Sequence, residues 1–219
     1  SGNWAIAAVS VKPATVSGSA TTAFTQTVGM ASDFIMPIGG LITVTNYISV
    51  TSGTPVAPVD ITATLKVGTN AFAILTNPTM TSLGGGLYQL VWTGGLTSKT
   101  TVATGQQISL YVTSSEPSVT FKILYDSKNY PSQLQLPTTT VIDITQLGIY
   151  DAPYPDGALI TAAANGQTVY VRATVSDPFG PTDINTTTLT LTDPNGSATT
   201  VILNSGQVVN TTTASKTYE

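Results

Sequence analysis

Gly166-Gln167-Thr168-Val169-Tyr170-Val171-Arg172-Ala173-Thr174-Val175 decides how this chain folds. Val169, Val171, Ala173 and Val175 fall on one face of an extended chain, and Tyr170, Arg172 and Thr174 on the other. Such alternation marks a half-buried strand, because successive side chains leave a pleat on opposite sides. The same period of two runs through Ile108, Leu110 and Val112, and through Ile61, Ala63, Leu65 and Val67. It returns in Ile42, Val44, Ile48 and Val50, on a face that also holds Asn46. Tyr88, Leu90 and Trp92 form another set, which assigns Trp92 to the core, and Val119, Phe121 and Ile123 a further one. Gly39-Gly40, Gly84-Gly85-Gly86, Gly94-Gly95, Asp156-Gly157, Asn165-Gly166 and Asn195-Gly196 stand between these runs as turn residues. Convincing helical periodicity is missing throughout, so the expected class is all-β.

Composition agrees. The chain holds 41 Thr and 19 Ser against 18 charged residues in 219, and threonine's branched side chain favours strands. It contains no His and no Cys. That excludes a histidine triad, a cysteine nucleophile, a thiolate zinc centre and any disulfide. A net charge of -4 gives no basic footprint for nucleic acid. No apolar run reaches the roughly 18 residues of a membrane-spanning helix, so no membrane insertion is expected in this segment.

The chain divides where Leu136-Pro137-Thr138-Thr139-Thr140 breaks the pattern. Up to residue 140, five lysines face four acids, a net of +1; from 141 onward, Arg172 and Lys216 face six Asp and Glu219, a net of -5. Residues 1–20 read as a leader or a strand of a preceding unit, 21–137 as a first β-sandwich and 141–219 as a second. The second is short for a seven-strand sandwich, so its last strand or two are expected beyond Glu219. Gly105-Gln106, Gly166-Gln167 and Gly206-Gln207 each open a strand, which suggests units of related design. There Gly makes the turn, and Gln reads as the neutral first residue of the strand.

Pro37-Ile38-Gly39-Gly40-Leu41-Ile42-Thr43-Val44-Thr45 and the longer run from Asn165 to Pro178 resemble bacterial Ig-like repeat domains of secreted and cell-surface proteins, adhesins among them. Asp177-Pro178-Phe179-Gly180 and Thr192-Asp193-Pro194-Asn195-Gly196 are similar to the turns of that family. The resemblance implies two Ig-like antiparallel sandwiches in tandem and an extracellular place. It also implies a spacer role beside neighbouring domains of the same polypeptide. It carries no shared active site.

Two groups of residues are candidates for a site. Asp143 opens the first strand of the second unit, Asp177 follows the second strand and Asp183 precedes the third. Antiparallel order brings all three to one end, at the domain junction, where hard oxygen ligands suit Ca²⁺. The competing reading is that each Asp bonds the amides of its own turn. Tyr125, Tyr130 and Tyr154 stand in polar, Pro-containing loops of the sort that bind a host or environmental glycan or protein. Catalysis has no candidate. Ser98-Lys99 and Ser127-Lys128 point to opposite faces of a strand, and Glu116 stands alone in its turn. The chain is therefore read as a non-enzymatic structural module, with a loop-based binding module as the alternative.

Overall fold

A computed structural model describes residues 4–6, 15–17, 20–125, 128–139, 142–192 and 195–219. The described residues form antiparallel sheets and no α-helix. The chain separates into two compact units, one of residues 1–29 and 33–139, the other of residues 30–32 and 140–219.

The first unit holds β1 (Trp4–Ile6), β2 (Thr15–Ser17), β3 (Ala20–Thr25), β4 (Phe34–Met36), β5 (Leu41–Ser52), β6 (Ile61–Val67) and β7 (Asn70–Leu75). It continues with β8 (Thr79–Gly84), β9 (Leu87–Gly95), β10 (Thr100–Val102), β11 (Ile108–Ser114), β12 (Thr120–Leu124) and β13 (Gln133–Leu136). The long strand β5 is the spine of a seven-stranded sheet. Along one edge it pairs with β9, which carries β8; along the other it pairs with β13 and β12. Residues expected as a leader lie in this sheet: β1 pairs with β13 and β2 with β12. A second sheet runs β3-β11-β6-β7, and β4 pairs with β10.

The alternating sets are the core of this unit. Ile42, Val44 and Ile48 are buried, as are Ile61, Ala63 and Leu65, then Ile108, Leu110 and Val112, then Phe121 and Ile123. Trp92 is buried on β9, and its indole nitrogen donates to the Ile61 carbonyl on β6 at 3.0 Å, joining the two sheets. Asn46, on the same face, is buried with its amide nitrogen unpartnered among the described residues.

The second unit holds β14 (Asp143–Tyr150), β15 (Leu159–Ile160), β16 (Tyr170–Ser176), β17 (Thr187–Thr192), β18 (Ala198–Leu203), β19 (Val208–Thr211) and β20 (Ser215–Tyr218). Five strands make one sheet in the order β15-β14-β16-β20-β19, and β17 and β18 form a separate hairpin. The cluster of buried residues Val175, Ile184, Leu203 and Tyr218 takes in Leu189 and Val208 at its margin. The strand that carries the opening stretch begins at Tyr170. Val169 stays exposed, whereas Ala173 and Val175 are buried.

The recurring Gly-Gln pairs have a physical cause that the sequence reading missed. Each Gln folds back and closes the turn before its strand. Gln106 Oε1 accepts the Ala103 N–H at 2.9 Å, Gln167 Oε1 that of Ala164 at 3.0 Å, and Gln207 Oε1 that of Asn204 at 3.0 Å. In all three, the Gln N–H donates to the carbonyl of that same residue, so the turn is tied twice. The Gln half of a capping box is thus used at strand entrances, and the full box occurs at Asn204, whose side chain takes part as well. Gly105 and Gly166 occupy positive φ, which glycine adopts at little steric cost. Gln167→Ala is expected to destabilise the second unit by about 1 kcal/mol, the worth of one such bond, and Gln167→Glu to recover most of it. Urea denaturation followed by circular dichroism measures both.

Excess hydroxyls also find partners across strands. Thr25 Oγ1 meets Ser109 Oγ at 2.9 Å, and Thr174 Oγ1 meets Thr217 Oγ1 at 3.0 Å. Hydroxyl pairs of this kind stabilise facing strands where other proteins place ion pairs.

Candidate functional site

The second unit contains one concentrated polar centre, near the start of β16. Arg172 lies on the face opposite Ala173 and Val175, yet it is buried. The loop after β14 and the last residue of the chain fold over it. Its Nε donates to Glu219 Oε2 at 2.5 Å, and its Nη2 donates to the carbonyls of Ala152 at 2.8 Å and Asp156 at 2.5 Å. The guanidinium carbon lies 4.1 Å from the centre of the Tyr150 ring and 5.4 Å from that of Tyr154. Glu219 completes the closure by accepting the Tyr154 N–H at 3.1 Å and 3.0 Å through its two oxygens. Asp151 holds the base of the same loop, accepting the Ala158 N–H at 2.7 Å. A planar fork of donors suits this task, because it binds a carboxylate and two carbonyls and still stacks on an aromatic face.

Other carboxylates do the same work singly. Asp33 Oδ1 accepts the Thr104 N–H at 2.9 Å, and Glu116 Oε1 accepts that of Asp60 at 2.5 Å. Asp177 is buried, and its Oδ1 accepts the Phe179 N–H at 2.7 Å within its own turn. With Asp151 and Glu219, five carboxylates hold backbone amides at the bases of loops.

Of the aspartates singled out from the sequence, Asp143 and Asp177 do reach the same end of the sheet, since Asp143 pairs with Ser176 in the β14–β16 register. Asp143 is exposed and Asp177 buried. Asp183 ends the short turn Pro181–Asp183, and its side chain lies outside the described residues. The third strand joins β18 rather than β16. Among the described residues no group of three or more His, Cys, Asp or Glu stands ready to hold a metal ion.

The tyrosines divide between the two units. Tyr125 packs edge-on against Phe24 with ring centres 5.9 Å apart, and Tyr130 packs against Tyr47 at 5.6 Å, both in the first unit. Tyr154 belongs to the second unit, beside Arg172, with 37% of its surface exposed. Sequence reading passed over Arg172 and Glu219 as ordinary charges. The signal was there: Arg172 is the only arginine, and it occupies a strand position flanked by apolar residues. Compared with protein-family models, with curated proteins and with solved structures, the chain matches none.

Proposed function

We propose that the chain is a non-catalytic structural module of a larger bacterial secreted or cell-surface protein, made of two Ig-like sandwiches in tandem. The observation that supports this reading most is the use of its carboxylates. Asp33, Glu116, Asp151, Asp177 and Glu219 each accept backbone amides and stiffen loops, which suits a body that holds a shape and spaces its neighbours. A catalytic site would instead gather such groups around a cleft with perturbed acid–base properties.

The competing reading makes the exposed Tyr154 ring part of a glycan or protein site at the loops. A broad glycan array separates the two. The spacer reading expects no sugar to bind; a specific signal abolished by Tyr154→Ala would overturn it. The same reading needs no calcium, because Asp177 is already engaged in its turn. Adding EGTA is therefore expected to leave the melting temperature of the chain unchanged. A fall on chelation, restored by Ca²⁺, would instead support a calcium-stiffened module through Asp143, Asp177 and Asp183.

A further inference from the structure

Two asparagines precede glycine in this chain, Asn165 and Asn195. Asparagine is among the heat-labile residues. The reason is chemical: the amide nitrogen of the next residue reaches the side-chain Cγ and closes a five-membered ring. A glycine in that place leaves the approach clear, because it has no Cβ. The fold treats the two pairs differently. Asn165 and Gly166 are the central residues of the turn that opens β16, closed by the Gln167 N–H on the Ala164 carbonyl at 3.1 Å. The peptide between them lies outside the ring that this bond closes. The Gly166 N–H and the Asn165 side chain make no hydrogen bond among the described residues. Both residues are exposed, and a Cβ on Gly166 would meet nothing within 4 Å. Asn195, by contrast, is already engaged.

Other candidates lack one requirement or another. Asn46 is buried, and Asn204 Oδ1 accepts the Gly206 N–H at 2.9 Å. Asn77 precedes Pro78, which has no N–H to lose. The Asp156-Gly157 pair is pinned: the Asp156 carbonyl accepts from Arg172 Nη2, and Gly157 packs on the Ala152 backbone. What shapes the Asn165 turn lies within the four residues from Ala164 to Gln167.

We infer that Asn165 is a site of spontaneous covalent modification, deamidation through Gly166. Base removes the Gly166 amide proton. The nitrogen attacks Asn165 Cγ, the new N–C bond forms, and the Cγ–Nδ2 bond breaks as ammonia leaves. Water then opens the cyclic imide at either carbonyl and leaves an aspartate or an isoaspartate at position 165. The isoaspartate route sends the main chain through the side-chain carbon and adds one atom between Ala164 and Gln167. Two bonds span that stretch, Gln167 N–H to the Ala164 carbonyl and Ala164 N–H to Gln167 Oε1, and they cannot both keep their length. The reaction is thus a slow, one-way loosening of the entrance to β16, the strand that carries Arg172. Its product belongs to the substrate class of enzymes that methylate isoaspartyl carboxylates.

The test keeps the whole chain in mildly alkaline buffer for several weeks and then digests it with trypsin. Cleavage after Lys128 and Arg172 separates peptide 129–172, which holds Asn165, from peptide 173–216, which holds Asn195. The mass gain of an amide-to-acid exchange is expected in peptide 129–172, faster as the pH rises. It should be absent from Asn165→Gln, whose longer side chain closes the ring poorly. That variant lies in an exposed turn, and its unchanged amide spectrum elsewhere verifies the fold. An isoaspartyl methyltransferase should label the aged chain. The Ala164 and Gln167 amides should exchange with solvent about five- to tenfold faster after ageing, the weakening expected from one lost bond. Any of four results would overturn the inference. They are no mass gain, a gain confined to peptide 173–216, an equal gain in Asn165→Gln, and a gain without methyl labelling.

Discussion

Replacing Arg172 by alanine is expected to lower the stability of the second unit by about 3–5 kcal/mol, a large share of what a small domain possesses. The side chains of Arg172 and Glu219 are only 8% and 13% exposed, so solvent screens their contact little. Truncation leaves the Glu219 carboxylate without its cation and the Ala152 and Asp156 carbonyls without their donor. Each orphan adds its own desolvation penalty. The loop that carries Tyr154 then loses most of what fixes it to the sheet. Arg172→Lys keeps the charge but not the fork, and should recover less than half of the loss. Urea denaturation of the variants, followed through amide signals of β16 and β20, measures both effects. A change below about 1 kcal/mol for Arg172→Ala would mean that the centre contributes no more than a surface ion pair.

Trp92→Ala is expected to have a comparable effect on the first unit, about 3–5 kcal/mol, because the largest buried side chain disappears from between two sheets. Two separate terms contribute. The volume lost cannot be refilled by strands held in place by their own ladders. The Ile61 carbonyl also loses the indole N–H that it accepts. Trp92→Phe separates them: most of the apolar bulk remains, and only the unpaired carbonyl and a smaller void are left, at about 1–3 kcal/mol. Circular dichroism is the suitable probe, since the substitution removes one of the two tryptophans. The amide spectrum of the second unit should stay unchanged in both variants.

Much of this was legible in the sequence. Ile42, Val44, Ile48, Leu65, Leu90, Trp92 and Phe121 read as inward-facing strand residues and are buried as such. A period of two leaves little freedom where one face must be dry. The opening stretch was readable only in part. Val169 and Val171 alternate as regularly as Ala173 and Val175, yet Val169 is exposed and Val171 only half-buried. Alternation says which residues share a face, and nothing in it says whether that face is covered. The Gly-Gln pairs were visible as a recurrence and opaque as a mechanism, because the bond each Gln makes three residues back appears only once the turn is folded.

By itself the sequence determined the class, the absence of His- and Cys-based chemistry, the inner faces of the strands and the location of the acidity. These are local or compositional properties, carried by residue type and spacing. Tertiary structure alone decided that Arg172 and Glu219, 47 positions apart, meet beneath Tyr154. It also decided that Tyr125 and Tyr130 pack on Phe24 and Tyr47, and that Ile144, Leu147 and Ile149 of β14 are exposed. Each of these outcomes depends on which distant strands become neighbours. That choice comes from the summed burial and hydrogen bonding of the whole sheet, which no single stretch of chain contains.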